Sequence, residues 1–194
     1  MKTNLRLIGG QKLESPKTIN TRPTTLRVRE AIFNILNKEV ENANWLDLFS
    51  GTGAISCEAY NHGAKKIVAI EKNKNISKIC LKNLYSLQNI NNRKNDIEVI
   101  CKDVLIWTKP NAVRNISIND FNKIKFDFIY LDPPYKFNYH DLVLNQIFNC
   151  NFIRKGTIVI CEHSLDLNIK KNILWEIYDI RTYGQSKLTF LINV

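Results

Sequence analysis

Trp45-Leu46-Asp47-Leu48-Phe49-Ser50-Gly51-Thr52-Gly53-Ala54 joins a short, mostly apolar run to a glycine turn and then to a helical pattern over 54–61. Apolar residues around one acid suit a strand covered on both faces. Glycines at 51 and 53 let the backbone turn sharply and come close to a ligand. Outward from this stretch the alternation repeats. Lys66 to Glu71 reads as a second strand, and Ile76, Ile79, Cys80, Leu84 and Leu87 mark a second helix. Asp96 to Cys101 is a third strand, and Phe126 to Leu131 a fourth that runs into two prolines. A helix near 141–148 leads to a fifth strand over 157–161. The last two strands, 175–180 and 188–192, flank Tyr183-Gly184-Gln185-Ser186. Strands alternating with helices predict an α/β fold, a mostly parallel sheet with helices on both faces. The short final connection predicts an antiparallel pair. The stretch 109–125 reads as a helix end plus loop.

Upstream, Leu5 to Ile8 precedes Gly9-Gly10, and residues 13–20 are polar with Pro16. This predicts an extended arm or hairpin over residues 1–21. Arg22-Pro23-Thr24-Thr25 opens a helix that Thr24 or Thr25 can cap, with Val28, Ala31, Ile32, Ile35 and Leu36 as its apolar stripe. Residues 22–194 are then one domain, as 194 residues allow.

No apolar run approaches the ~20 residues of a membrane helix, and the N-terminus lacks a signal-peptide pattern. A soluble, cytoplasmic protein is expected. The five cysteines, Cys57, Cys80, Cys101, Cys150 and Cys161, show no Cys-x-x-Cys spacing and read as small core residues. His62, His140 and His163 have no metal-ligand spacing, so no metal is expected. The net charge of +10 points to a polyanionic partner. The preference for Lys over Arg, 20 against 8, fits an A/T-biased coding sequence. Such bias does not account for bases outnumbering acids.

In a parallel sheet, ligands bind beyond the carboxyl ends of the strands. The turn after the first strand is neither Gly-x-Gly-x-x-Gly nor a P-loop. Its helix N-terminus would face a carboxylate, such as the amino-acid end of a cofactor. Asp47 inside an apolar strand is costly unless satisfied. Glu71, 20 residues after Gly51, can accept both ribose hydroxyls. Asp103 can meet an adenine amine, although an acid after a strand also serves as a helix cap. Ribose, adenine and an amino-acid carboxylate together make S-adenosylmethionine. The expected cofactor set is Asp47, Phe49, Ser50, Gly51, Gly53, Glu71, Lys72, Asp103 and Val104.

Asp132-Pro133-Pro134-Tyr135 follows the fourth strand. Prolines cannot continue a central strand, so the chain leaves the sheet there. With their N–H groups missing, the bend is rich in acceptors. A carboxylate and a backbone carbonyl can accept the two N–H bonds of an aryl amine and favour a pyramidal, nucleophilic nitrogen. Tyr135 can stack on the base. These four residues are the expected catalytic set, with Asp132 the candidate proton acceptor. The tetrad admits adenine N6 or guanine N2 as the amine.

These residues resemble the class I methyltransferases, and more narrowly the RsmD family of bacterial small-subunit (16S) ribosomal RNA guanine-N2 methyltransferases. The likeness spans Arg6-Leu-Ile-Gly-Gly10, Arg22-Pro-Thr-Thr-Leu-Arg-Val-Arg-Glu30 with Ala31-Ile-Phe-Asn-Ile-Leu36, Leu46-Asp-Leu-Phe-Ser-Gly-Thr-Gly53, Glu71, Asp132-Pro-Pro-Tyr135, Glu162-His163 and Tyr183-Gly-Gln185. It implies a Rossmann-like, seven-stranded sheet with one antiparallel strand. It further implies methyl transfer to the N2 amine of one guanine in 16S rRNA, within an assembling small subunit, by a monomer. Leu26 stands where the family commonly has an acid, and the arm after Gly10 is shorter and less basic than usual. Arg22, Arg27 and Arg29 are the expected phosphate contacts. Lys72, Lys74, Lys78 and Lys82 read as a solvated face, Lys72 also belonging to the cofactor set. The competing readings are a DNA adenine-N6 methyltransferase, which would need a recognition domain this chain has no room for, and a catalytically silent RNA-binding assembly factor, against which the intact tetrad speaks. An NAD-linked oxidoreductase is disfavoured by the glycine spacing.

Overall fold

The computed structural model describes residues 5–16, 24–91, 95–109, 124–134, 139–150 and 152–194. Arg22, Tyr135 and most of the 109–125 stretch lie outside the described residues. Helix α1 (Leu26–Leu36) precedes a 3-10 turn at Asn37–Val40. There follow β1 (Asn44–Leu48), α2 (Ala54–Asn61), β2 (Lys66–Ile70), α3 (Lys74–Asn91), β3 (Asp96–Ile100) and α4 (Val104–Trp107). The chain ends with β4 (Phe128–Leu131), α5 (His140–Asn149), β5 (Ile158–Ser164), β6 (Trp175–Tyr183) and β7 (Ser186–Asn193). The seven strands form a sheet in the order β3-β2-β1-β4-β5-β7-β6. The residues cluster into two compact units, 1–101 and 102–194.

In the first unit β1 pairs in parallel with β2, from Asn44↔Lys66 to Leu48↔Ile70. β2 pairs in parallel with β3, from Lys66↔Asp96 to Ile70↔Ile100. The last four residues of both β1 and β2 are buried, as a strand covered on both faces requires. Helix α1 starts where Thr25 Oγ1 accepts the Val28 N–H at 3.3 Å. It packs on α2, whose first seven residues are all buried. Ahead of α1, residues 5–13 form a small loop closed by an Arg6↔Lys12 bridge and by Leu13 N–H donating to Leu5 O at 2.8 Å. Leu5, Leu7 and Leu13 are buried, which fixes this arm to the unit.

In the second unit β4 and β5 are parallel. β7 is antiparallel to both β5 and β6, so it is the one reversed strand of the sheet. The two-residue link Gly184-Gln185, with Gly184 at φ 59°, makes the final hairpin. Trp107 stacks on Phe152 at 4.9 Å, and Phe126 meets Phe152 edge-on, forming the aromatic part of this core. β5 extends to Ser164, beyond the sequence estimate, because Glu162 and His163 are buried with satisfied polar atoms.

Candidate active site

The exit of β1 concentrates unusual features. Asp47 is 1% exposed. Its Oδ2 accepts the Ser56 hydroxyl at 2.5 Å, and the Ser56 N–H also donates to the carboxylate. Its Oδ1 is buried with no hydrogen-bond partner among the described residues. Burial raises its pKa to about 7, against the opposing hydrogen bonds from Ser56. Immediately after, Phe49 takes a left-handed φ of 66°, a conformation a bulky residue adopts only under constraint. Gly51 and Gly53 follow at φ 54° and 80°. A Cβ at Gly53 would lie 2.6 Å from Cys80 Sγ, so this position needs glycine for conformation and for space. A Cβ at Gly51 would meet nothing within 4 Å: there only the backbone angle calls for glycine.

The parallel registers bring the ends of β1 and β2 side by side. Ser50 N–H donates to Ile70 O at 2.9 Å, and Glu71 N–H to Ile100 O at 3.1 Å. Glu71 thus lies beside the glycine turn, where Oε2 accepts the Gly51 N–H at 3.0 Å and Oε1 the Asn73 N–H at 2.7 Å. The structure therefore groups Asp47, Phe49, Ser50, Gly51, Gly53 and Glu71 at one strand edge. The Lys72 side chain is exposed, while its carbonyl receives Cys101 Sγ–H. A carboxylate with a vacant acceptor oxygen suits an ammonium. A helix N-terminus with Gly53 as its cap, lacking a side-chain acceptor, suits a carboxylate. Those are the two ends of an α-amino acid, so the residues present fit the amino-acid portion of S-adenosylmethionine.

In the second unit Asp103 caps α4, its Oδ1 accepting the Leu105 N–H at 2.8 Å, and Val104 is buried. The cap is the local reading of an acid after a strand, and here it engages one oxygen of Asp103. At the exit of β4, Asp132 is half-buried, Pro133 buried and Pro134 exposed. Two residues earlier on that strand, the Tyr130 hydroxyl donates to Glu162 Oε2 at 2.5 Å. Ser186 Oγ donates to Glu162 Oε1 at 2.9 Å, so both oxygens of this buried acid are occupied. His140 Nε2 donates to the Glu162 carbonyl at 3.0 Å, and its ring meets His163 edge-on at 5.7 Å. Burial pushes the His140 pKa down to about 4 and lowers that of His163. Motif reading misses this network, Ser56 and Asn83. Only Glu162-His163 stood out in sequence, and its partners come from β4, α5 and β7.

The structure corrects two sequence expectations. Arg29 is not placed to meet a phosphate: it is 2% exposed and ion-paired with Glu58 at 2.6 Å, and its second terminal nitrogen donates to Arg6 O at 2.6 Å. Glu58 Oε1 also accepts the Ile8 N–H at 2.9 Å, so the pair pins the arm to α1 and α2. The helical row Arg29, Ile32, Phe33 and Leu36 signals this burial. Arg27, two residues away, is exposed. The other correction is Cys101, which is exposed because it lies just past the end of β3, an edge strand. The remaining four cysteines are buried and unpaired.

The family model described as Conserved hypothetical protein 95 matches residues 5–192. Ribosomal RNA small subunit methyltransferase D of Buchnera aphidicola subsp. Acyrthosiphon pisum is 30% identical over 91% of this chain and 84% of its own length. Among solved structures, the yhhF protein of Escherichia coli, to which methyltransferase activity is ascribed, aligns with a TM-score of 0.79 at 23% identity over 97% of each chain. SMU.776, also ascribed methyltransferase activity and solved as a complex with SAH, aligns with a TM-score of 0.64 at 16% identity over 87% of this chain and 50% of its own. These two likenesses show a shared fold. Among the described residues no helix is long and apolar enough to cross a membrane.

Proposed function

The chain belongs to the RsmD family, described as Conserved hypothetical protein 95, and from that premise we propose that it transfers a methyl group from S-adenosylmethionine to the N2 amine of one guanine in 16S ribosomal RNA. The observation that carries the reading is the Asp47–Glu71 strand edge in a chain that also ends β4 with Asp132-Pro133-Pro134-Tyr135 and whose relative is named for small-subunit rRNA methylation. The proposed substrate is the rRNA of an assembling small subunit, and the proposed setting is a cytoplasmic monomer with residues 1–21 as its arm and 22–194 as its methyltransferase domain.

When bound, S-adenosylmethionine supplies an electrophilic methyl on a sulfonium. Asp47 would hold its ammonium, the α2 N-terminus its carboxylate and Glu71 its ribose hydroxyls, exchanging the Gly51 and Asn73 amides for them. Asp103 and Val104 remain the proposed adenine contacts. Asp132 and the carbonyl of the Pro-Pro bend would accept the two N–H bonds of the guanine amine and hold its lone pair on the face that forms the new C–N bond. Asp132, or water beside it, would accept the proton that the amine gives up on methylation. Orientation supplies much of the rate. Tyr135 would stack on a base drawn out of its helix. Arg22 and Arg27 stay as proposed phosphate contacts, and Arg29 does not.

Incubation with labelled cofactor and unmethylated small-subunit particles, followed by nucleoside digestion, should yield N2-methylguanosine. Label in N6-methyladenosine, or in DNA in preference to rRNA, would overturn the proposal.

A further inference from the structure

Asn83, in the middle of α3, is 3% exposed, and its amide is fully used. Oδ1 accepts the Glu14 N–H at 2.8 Å, and Nδ2 donates to Glu14 O at 3.0 Å. The second Nδ2 proton goes to Thr52 O at 2.9 Å. One side chain thus grips the N-terminal arm at two points and the middle residue of Gly51-Thr52-Gly53 at a third. The Thr52 tether matters because it is flanked by two glycines at positive φ, which restrain the chain least. A buried amide stripped of one partner loses the full benefit of a satisfied group, so both ties favour being made together. Lys82, the preceding residue, pairs with the Glu14 carboxylate and reinforces the grip.

We infer that Asn83 is a positioning residue that couples the N-terminal arm to the cofactor turn. Docking of the arm and binding of the cofactor then strengthen one another. The coupling is reciprocal by linkage: whatever holds the arm raises cofactor affinity, and bound cofactor holds the arm. The inference rests on the cofactor reading of the glycine turn.

The test uses SAH, the unreactive product, with calorimetric titration and amide hydrogen exchange on the full chain. In the unaltered protein SAH should bind and slow exchange at the Leu7, Leu13 and Glu14 amides. Asn83→Ala should bind SAH about 5- to 20-fold more weakly, a moderate coupling, and SAH should no longer slow exchange in its arm. Glu14→Pro removes the backbone donor to Asn83 Oδ1 and the carboxylate that pairs with Lys82, and leaves α3 intact. It should weaken SAH binding in the same direction, and it decides the matter if Asn83→Ala does not fold. Unchanged affinity in Glu14→Pro together with arm exchange indifferent to SAH would overturn the coupling while leaving the cofactor reading standing. Failure of the unaltered protein to bind SAH would overturn both.

Discussion

Asp47 in β1 and Glu162 in β5 are both carboxylates buried in parallel strands of the sheet, at 1% and 4% exposure. Their surroundings differ in one respect. Glu162 has a hydroxyl on each oxygen, from Tyr130 and Ser186. Asp47 has Ser56 on one oxygen and, among the described residues, no partner on the other. A buried acid whose acceptors are all met stabilises the fold, whereas one left incomplete stores a cost that a ligand cation can relieve. The contrast sets Glu162 with the architecture and agrees with the binding role proposed for Asp47, and it can be broken from either side.

The largest effect is expected at Glu162. Glu162→Ala removes the carboxylate that two buried hydroxyls donate to and should lower unfolding stability by about 3 kcal/mol, while SAH affinity in the folded fraction stays within about threefold. Chemical denaturation paired with SAH titration checks both. A mutant as stable as the parent but unable to bind would reverse the assignment.

Next comes acid stability. His140 packs against the Glu162 carbonyl with its pKa lowered from 6.5 to about 4 by burial. The unfolded chain takes up a proton below pH 6.5 that the folded chain refuses until about pH 4. Stability therefore falls as pH drops through that window, by about 3 kcal/mol in all from this residue. His163 is shifted in the same direction. Replacing His140 with Gln should flatten the decline between pH 6.5 and 4, as read by denaturation at several pH values.

A somewhat smaller change, in binding and not in folding, is expected at Asp47. Asp47→Asn should weaken SAH binding by about 10- to 100-fold, the range for a hydrogen bond to a charged group. The same mutant should be at least as stable as the parent at pH 8, where the parent must keep a buried carboxylate ionised. With the Asp47 pKa near 7 in the unliganded protein, binding an ammonium requires the ionised form. Affinity should therefore fall by up to about tenfold per pH unit below 7, with proton uptake by the released protein. Affinity independent of pH between 5 and 7 would remove Asp47 from the site.

The same contrast explains what could be seen in the sequence. The alternating fold, the glycine turn and the Glu71 spacing are local patterns, and strand periodicity exposes them. Asp47 was visible because an acid in an apolar strand violates a local rule. The Glu162 trio and the Asn83 grip join residues far apart in the chain, and Ser56 meets Asp47 only across the turn from β1 into α2, so no local period carries them. Phe49 in the left-handed region has no sequence signal, since the angle is imposed by the turn around it. Arg29 reads as a phosphate contact when charge is weighed ahead of helical row, and the structure buries it instead. Its pairing with Glu58, 29 residues on, appears only once α1 packs on α2.

The central claim is that Asp132 serves transfer while the β1–β2 edge serves binding. The most direct test measures both on one mutant: labelled methyl incorporated into guanosine of small-subunit particles, and SAH affinity, for Asp132→Ala beside the parent. Loss of N2-methylguanosine by at least about a hundredfold, with SAH affinity within about threefold, is the expected result. Full transfer by Asp132→Ala, or loss of SAH binding in step with activity, would contradict it.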